Sequence, residues 1–373
     1  MDINKFIQEY AEKMKHIQEE ILEFIENDDA QEEDYNDITK FLNEINIRDN
    51  QHDLKFFLHL ISKISDNHKR QNDFFTKIEF IFKIFQADIT KYFTNIDVFN
   101  IFKSNKRFLL FLFEEKIIIP DESIYTIVNK PKYFNQNYMT YFYPEFKSFI
   151  TSSNEFEMDQ YFEINRKTGN NSSLICELIQ KDSIDEFVVY INRNNLSTSA
   201  LIPESIFETN LFLLKKHPTL IEYSAFFGSI QIFNNLRFSG AELDSSLWIY
   251  AIHGGNPDII HLLEEIEIQQ PSYTYNQCYK EAIKCHNIPI MNYMRYDLLT
   301  KKRDKDIGLF SQCLPYYNFI DFCSINNDFS YISIAESDLF YYLCKYDYIT
   351  IVDFILKNRK IDVTSDIKIF KLH

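Results

Sequence analysis

The residues best suited to chemistry are histidines, cysteines and carboxylates, and their spacing limits what they can do together. Cys285 and His286 are adjacent, and a thiol beside an imidazole could form a catalytic dyad or begin a metal site. His253 and His261 are eight residues apart. On one helix that is a rise of about 12 Å, which is too long for both to bind one ion. The six cysteines contain no C-x-x-C pair and no zinc-site spacing.

Sequence motifs for catalysis and phosphate binding are missing. There is no Walker loop, no G-x-G-x-x-G and no G-x-S-x-G, and six glycines in 373 residues leave little material for a phosphate-cradling loop. Acidic pairs such as Glu264-Glu265 are typical of solvated charges in a chain with 55 Asp and Glu residues. We therefore predict that the protein is not an enzyme, uses no cofactor, and has no catalytic or metal-binding residue.

A helix–turn–helix unit recurs through the second half of the chain and would position these side chains. Its interhelix turns are placed at Asp182, Gly228, Gly255, His286, Asn318 and Asp347. Successive turns are 27 to 32 residues apart after a first gap of 46. Gly, Asn, Asp and His are the residues that best tolerate the positive φ of a tight turn. By this register His286 is a turn residue and Cys285 a packed thiol beside it.

Apolar residues flank each turn at helical spacing, as Ala251, Ile259 and Ile260 do around Gly255. Four residues that lie nine positions before a turn are predicted N-caps: Ser173, Thr219, Ser246 and Asp338. The long first gap predicts an additional helix at Glu204–Lys216.

The register resembles the ankyrin repeat, a β-turn and two helices with a T-P-L-H-x-A start. The closest match is Thr219–Leu243. In it Thr219 takes the Thr position, Gly228 the interhelix turn, and Ser239–Leu243 resembles the G-A-D-V segment that opens the next hairpin. No unit retains the whole T-P-L-H tetrad.

Several runs are similar to a large protist family whose members join a helical domain of unknown function to ankyrin repeats. The runs are Pro203–Asn210, Pro218–Phe233, Leu247–Leu263, Lys280–His286 and Asp53–Asp121. The resemblance covers most of the chain. It implies an ankyrin-type solenoid without catalytic activity.

The N-terminal segment 3–25 carries apolar residues at alternating steps of four and three, which is a heptad seam. The seam residues are Ile3, Ile7, Tyr10, Met14, Ile17, Ile21 and Phe24. One interpretation is a coiled coil that joins two copies of the chain, and the other is an amphipathic helix packed on its own domain. The acidic stretch Glu26–Asp37 is predicted to be a linker or loop. The pattern is helical again from Asp53 to Glu115.

Two further expectations concern apolar residues of the repeats. Trp248, the only tryptophan, takes a core position of the register, although tryptophan is also common in binding hot spots. The last helix pair, Asp338–Lys357, has a strongly apolar second helix, whereas a solenoid needs a terminal cap with a polar outer face. We expect that the chain is truncated, or that a partner or the residues after Thr364 cover this face.

Charge and composition restrict the partners. A net charge of −16 opposes binding to nucleic-acid phosphates and to anionic membrane surfaces. The longest apolar runs, such as Phe108–Phe113, are too short to cross a bilayer. Met1–Lys5 does not resemble a signal peptide, and unpaired cysteines suit a reducing compartment. We expect a cytoplasmic protein with an unknown protein partner, no nucleic acid and no membrane insertion.

These observations predict an all-α protein, an ankyrin-like α-solenoid of degenerate helix–turn–helix repeats with a helical N-terminal region. The predicted divisions are 1–26 (amphipathic helix), 27–165 (helical domain of unknown function) and 166–373 (repeats). The predicted function is a non-enzymatic protein-interaction scaffold; the alternative is self-assembly as a homo-oligomer through residues 3–25. Partners of ankyrin repeats usually contact the hairpin tips and the exposed face of the first helices. By register, that selects Phe227, His253, Lys284, Lys345 and Tyr346.

Overall fold

The computed structural model describes residues 3–70, 73–130, 136–150, 156–266, 268, 274–294, 312–325 and 336–358. Within these ranges the secondary structure is helical, without β-strands and with one isolated bridge between Leu201 and Thr219. The all-α class predicted from the sequence is therefore confirmed.

The helices of the first half are short after the first three. They are α1 (Ile3–Glu26), α2 (Glu32–Glu44), α3 (Gln51–Asn67), α4 (Phe74–Ile84), α5 (Gln86–Tyr92), α6 (Asn95–Phe102), α7 (Lys106–Glu114), α8 (Glu122–Val128), α9 (Gln136–Tyr141), α10 (Tyr143–Phe146) and α11 (Phe162–Thr168).

The helices of the second half come in pairs, as the register predicts. They are α12 (Leu174–Gln180), α13 (Ile184–Asn194), α14 (Leu211–Lys216), α15 (Leu220–Phe227), α16 (Ile230–Phe238), α17 (Ser246–Gly254), α18 (Pro257–Glu265), α19 (Thr274–Lys284), α20 (Ile288–Tyr293), α21 (Phe319–Ile325), α22 (Glu336–Lys345) and α23 (Ile349–Asn358). Before α21, a 3₁₀ turn, Leu314–Tyr316, directly follows helical residues at 312–313.

The interhelix turns have the predicted left-handed conformation at five of six positions. Residues with positive φ are Asp182, Gly228, Gly255, His286 and Asp347. In the remaining pair the left-handed residue is Tyr317, one position before the predicted Asn318. The helical segment there ends in a 3₁₀ turn at Tyr316, and its tighter winding brings the turn one residue earlier.

The predicted N-caps are partly confirmed. Thr219 forms a capping box with Glu222, and Ser173 occupies the N-cap of α12. Ser246 is the first residue inside α17, and its hydroxyl donates to the Glu222 carboxylate at 2.5 Å. Asp338 lies within α22 rather than before it.

Two helix boundaries differ from the prediction. The additional helix covers only Leu211–Lys216, because the Asn210 side chain accepts the amide hydrogens of Phe212 and Leu213 and so starts the helix there. The acidic stretch predicted as a loop enters α2 at Glu32. Its carboxylates occupy the first turn, where they are favoured by the helix dipole.

The chain divides into two compact units that do not follow sequence order. Unit 1 comprises Met1–Ile64, Arg70–Ile89 and His286–His373, and unit 2 comprises Ser65–Lys69 and Thr90–Cys285. The boundaries predicted at residues 26 and 165 fall inside unit 1 and unit 2, respectively.

In unit 2 the first helices of successive pairs lie side by side. Helix α12 packs on α15, α15 on α17, and α17 on α19, while α13 packs on α16. Ser229 and Asn256, each directly after a turn residue, reach the preceding pair: the Ser229 hydroxyl donates to Ile179 O at 2.5 Å, and the Asn256 amide donates to Phe226 O at 2.7 Å. These bonds satisfy carbonyls that a helix end leaves without intrahelical partners.

The closest approach between α15 and α17 occurs at Gly254. A Cβ atom at Gly254 would lie 1.8 Å from the carbonyl oxygen of Phe226, so only glycine fits there. Gly240, in contrast, has φ +88° and no atom within 4 Å of a built Cβ. Gly254 is thus required by packing and Gly240 by backbone conformation.

In unit 1 the heptad seam of α1 is buried within the unit. Helix α1 packs on α2, α4, α21 and α23, and the seam residues from Ile7 to Phe24 are buried. This arrangement agrees with the interpretation of an amphipathic helix packed on its own domain. Pairing of the seam with a second copy would require α1 to leave these contacts.

A single buried glutamine on α1 holds the start of α21. Gln18 is fully buried, and its Oε1 accepts the backbone N–H of Phe319 at 2.7 Å and that of Ile320 at 3.4 Å. Its Nε2 lies 2.7 Å from His286 Nδ1 and donates to Asn318 Oδ1 at 3.3 Å. A side chain from the N-terminal helix therefore caps a helix about 300 residues later.

Part of the apolar face of the last helix pair is covered by α1. Ile351 and Ile355 of α23 are buried, and the Phe354 ring stacks on Phe6 with 3.7 Å between centroids. Helix α1 thus covers part of this face, whereas Leu356 is 45% exposed. The residues after Thr364 lie outside the described ranges, so the expectation of a truncated chain or of a cover by those residues or a partner stays a prediction.

We expect Gly254→Ala to destabilise unit 2 by about 2–3 kcal/mol, since the new methyl group overlaps a backbone carbonyl that cannot move without separating α15 from α17. Gly240→Ala is the control, where only the left-handed conformation costs free energy, roughly 1–2 kcal/mol. Urea unfolding followed by Trp248 fluorescence reports on unit 2, because it is the only tryptophan. Equal midpoints for the two variants would contradict the packing argument.

We expect Gln18→Ala to destabilise the contact between α1 and α21 by about 2–4 kcal/mol, because two buried amides lose their acceptor. Hydrogen–deuterium exchange should accelerate in peptides that cover Ile3–Glu26 and Phe319–Ile325. Gln8→Ala, an exposed glutamine on the same helix, is the matched control and should leave exchange unchanged. Unaltered protection in Gln18→Ala would show that the cap is dispensable.

Candidate functional site

A cluster of three polar side chains lies between the neighbouring first helices α17 and α19 of unit 2. His253 is near the end of α17, Glu281 is in the last turn of α19, and Cys285 directly follows that helix. The backbone N–H of Cys285 still donates to Glu281 O at 2.9 Å, so the two side chains, four residues apart, project toward α17 on one face. His253 Nδ1 lies 2.5 Å from Glu281 Oε1 and 3.3 Å from Cys285 Sγ. Donor atoms from all three residues lie within 4.8 Å of one another.

The imidazole of His253 is fixed by aromatic packing. Phe212 stacks on it with 4.3 Å between ring centroids and an interplanar angle of 17°, and Phe226 lies 5.3 Å away at 27°. The ring is 1% exposed. Its orientation toward α19 is therefore set by the core and not by solvent.

The charge of Glu281 is balanced by two basic groups. Lys284 Nζ donates to Glu281 Oε1 at 2.8 Å and lies over the Phe212 ring. Burial raises the pKa of Glu281, but the hydrogen bond and charge of His253 together with Lys284 more than offset it and lower that pKa to about 2. Glu281 is therefore ionised at neutral pH and acts as the acceptor of the His253 Nδ1–H hydrogen.

Cys285 lacks the environment of a reactive thiol. Burial raises the pKa of its thiol well above the ordinary value, and the charge of Glu281 adds to this effect. The backbone carbonyl of Cys285 lies 2.8 Å from His68 Nδ1, which fixes the end of α19. A protonated, buried thiol reacts slowly with electrophiles.

The cluster does not have the geometry of a catalytic triad. In a triad the base contacts the nucleophile through one ring nitrogen and the orienting carboxylate through the other. Here the same Nδ1 atom faces both Glu281 and Cys285. Because that nitrogen donates its hydrogen to the carboxylate, it is not free to accept the thiol proton.

The adjacent residues Cys285 and His286 do not form the catalytic dyad or shared metal site that their spacing in the sequence allowed. His286 Nδ1 is bonded to Gln18 in unit 1, whereas the Cys285 thiol faces His253 in unit 2. His286 is a left-handed turn residue, as the register predicts.

Unit 2 also contains a cavity of about 200 Å³ lined by residues that include Asn171, Glu208, His217 and Tyr223. The carboxylate of Glu208 is buried and accepts backbone N–H groups of Asn171 at 3.3 Å and Asn210 at 2.7 Å. These bonds hold the loop before α14. The carboxylate is thus engaged in local structure.

Three of the predicted partner-binding residues lie in unit 2. Phe227 is half-buried, with its ring 4.7 Å from Tyr223 and 4.9 Å from Phe226. Lys284 is half-buried on Glu281. His253 is a correction: the register placed it on an exposed face, but the stacked rings of Phe212 and Phe226 bury it completely.

The other two predicted residues lie in unit 1. Lys345 is exposed, and its Nζ lies 5.4 Å from the Tyr346 ring centroid and 5.6 Å from that of Tyr341. Tyr346 is half-buried and stacks on Tyr342 at 6.2 Å. Trp248 is buried, as its core position in the register predicts.

Glu281 is the member of the cluster that was not predicted from the sequence. It lies five positions before the turn residue His286, and His253 lies two positions before Gly255. If consecutive units of the register are placed side by side, these two positions come together. Within its own unit, Glu281 has only the pattern of a glutamate on a solvent-exposed helix face.

The comparisons with known proteins give no relative. No family model matches the chain, and neither the curated proteins nor the solved structures contain a match. In the described part of the chain, no helix combines the length and apolar content required to cross a bilayer.

We expect Cys285 to resist alkylation in the native protein, because iodoacetamide needs an accessible thiolate. Cys344, half-buried in unit 1, should be modified first, and Cys285 only when unit 2 unfolds. Peptide mass spectrometry after timed labelling, with and without urea, measures both. Native labelling of Cys285 as fast as Cys344 would mean that the cluster opens.

Proposed function

We propose that this chain is a non-enzymatic protein-interaction scaffold, built as an ankyrin-like solenoid and related to the protist family that its repeats resemble. The observation that carries the proposal is the packing of unit 2. Consecutive helix pairs each contact the next through their first helices, and left-handed residues close each turn. Nearest-neighbour stacking of this kind is the structural basis of repeat proteins, which present extended surfaces for partners.

The polar groups of unit 2 favour a scaffold over an enzyme. The cluster of His253, Glu281 and Cys285 is buried and paired, and the Nδ1 atom of His253 that faces the thiol already donates to Glu281. The Glu208 carboxylate at the cavity is bonded to backbone amides. Neither place offers a nucleophile and a base in mutual reach, which acyl-transfer and hydrolytic chemistry requires.

The proposed binding face of each unit lies beside the turns of its first helices. After the correction of His253, it comprises Phe227 and Lys284 in unit 2, and Lys345 and Tyr346 in unit 1. Aromatic residues supply contact area at low entropic cost. The net charge of −16 favours a partner with a basic surface, because opposite charges speed association.

We expect the double variant Phe227→Ala/Lys284→Ala to bind a specific partner with an affinity at least about tenfold lower than that of the unmodified chain. The measurement is capture from native extract with the full chain as bait, followed by quantitative mass spectrometry. Phe238→Ala is the control, because Phe238 is 78% exposed on the second helix α16 and lies outside the proposed face.

A second double variant, Lys345→Ala/Tyr346→Ala, tests unit 1 in the same assay. Loss with only one pair would assign the partner to that unit. Loss with Phe238→Ala, and retention with both doubles, would place the interface on the second helices and contradict the proposed face. If no protein is enriched over an unrelated bait by the unmodified chain, the scaffold proposal fails.

A further inference from the structure

The chemical nature of the side chains between α17 and α19 suggests a ligand that the scaffold function does not require. An imidazole, a thiol and a carboxylate converge from two helices that pack directly on each other. Imidazole and thiolate together are the donors preferred by zinc and related divalent transition metals, and a carboxylate commonly completes such a set. From this convergence we infer that His253, Glu281 and Cys285 bind one divalent transition-metal ion of the zinc class.

The separations of the donor atoms are close to those of a tetrahedral site. With usual metal–ligand lengths, such a site places nitrogen about 3.3 Å from oxygen and about 3.6 Å from sulfur. In the structure Nδ1 lies 3.3 Å from Sγ and 2.5 Å from Oε1. Inserting the metal requires the nitrogen and sulfur to separate by roughly 0.3 Å and the nitrogen and oxygen by roughly 0.8 Å.

The donors are held in place by the packing around them. Phe212 and Phe226 fix the plane of the His253 ring, and the bond between His68 and the Cys285 carbonyl fixes the end of α19. Glu281 and Cys285 are one helical turn apart, joined by the backbone hydrogen bond from Cys285 N–H to Glu281 O at the end of α19. Such support around the ligands reduces the ordering that metal binding would otherwise require.

The charges balance when the ion is bound. The sulfur–hydrogen bond of Cys285 breaks, its proton passes to solvent, and the sulfur electron pair forms the bond to the metal. The Nδ1–H bond of His253 also breaks: its proton passes to solvent, the Nδ1 electron pair forms the bond to the metal, and the hydrogen that remains on Nε2 leaves His253 a neutral ligand. One thiolate and one carboxylate then neutralise a dication, which suits a buried place where an uncompensated charge is costly.

Lys284 occupies the position of a competing cation. Its ammonium group neutralises Glu281 in the structure, and its side chain is 20% exposed, so it can turn toward solvent when the metal binds. Three protein ligands leave a fourth tetrahedral position for water or for an atom of another molecule.

The experiment is a titration of the untagged, chelator-treated full chain with Co²⁺, whose absorption reports ligand type. A sulfur-to-cobalt charge-transfer band and tetrahedral visible bands that saturate at one equivalent, and bleach on adding Zn²⁺, are expected. Cys285→Ser should abolish the charge-transfer band. Cys278→Ser, which alters another buried cysteine, within α19, should leave it unchanged.

Lys284→Met provides a second test that does not alter a ligand. Removal of the competing ammonium group should tighten Co²⁺ binding about tenfold. X-ray absorption of the Zn²⁺-loaded unmodified chain should show one sulfur in the first shell, which decides the matter even if Cys285→Ser fails to fold. Absence of a charge-transfer band, its persistence in Cys285→Ser, or a shell of nitrogen and oxygen alone would overturn the inference.

Discussion

The structure depends on one backbone constraint, the left-handed residue between the two helices of each pair. A residue at positive φ ends the first helix and directs the chain into the second. Asp182, Gly228 and Gly255 do this in unit 2, and His286, Tyr317 and Asp347 in unit 1. Because the turn also fixes which face of the first helix meets the next pair, the packing and the polar contacts follow from it. His253 and Cys285 owe their positions to the turns that directly follow them.

Buried polar groups give this packing its register, since apolar contacts alone would tolerate sliding. Ser229 and Asn256 each bond to a carbonyl of the preceding pair, and Gln18 bonds to the first amides of α21. A shift of either partner by one residue would leave a buried polar atom without its hydrogen bond, which costs about 1–3 kcal/mol. These few bonds therefore select one arrangement among many apolar ones of similar energy.

Local patterns were enough to predict most helices and turns, because apolar spacing, N-caps and positive-φ residues act within a few positions of the chain. The predictions were wrong where two local patterns conflict. The acidic first turn of α2 has the composition of a loop, and a 3₁₀ turn places the left-handed residue at Tyr317 instead of Asn318. Long-range pairing was not predictable. Nothing in the sequence near Gln18 indicates that it caps Phe319, and the burial of His253 follows from Phe212, which lies in a helix outside the repeat register.

Unit 1 combines segments that lie far apart in the chain, and this has a consequence for synthesis. Unit 2 is formed mostly by the continuous segment Thr90–Cys285, so its stacked pairs can form as soon as they leave the ribosome. Helix α1 is made before α21 and α23, two of the helices on which it packs, and these follow roughly 300 residues later, a delay of about 15–60 s at ordinary elongation rates. During that interval α2 and α4 can cover one part of α1, but the part that packs on α21 and α23 has no cover from either helix. The contacts of α1 with α21 and α23 are therefore the last of its contacts to form.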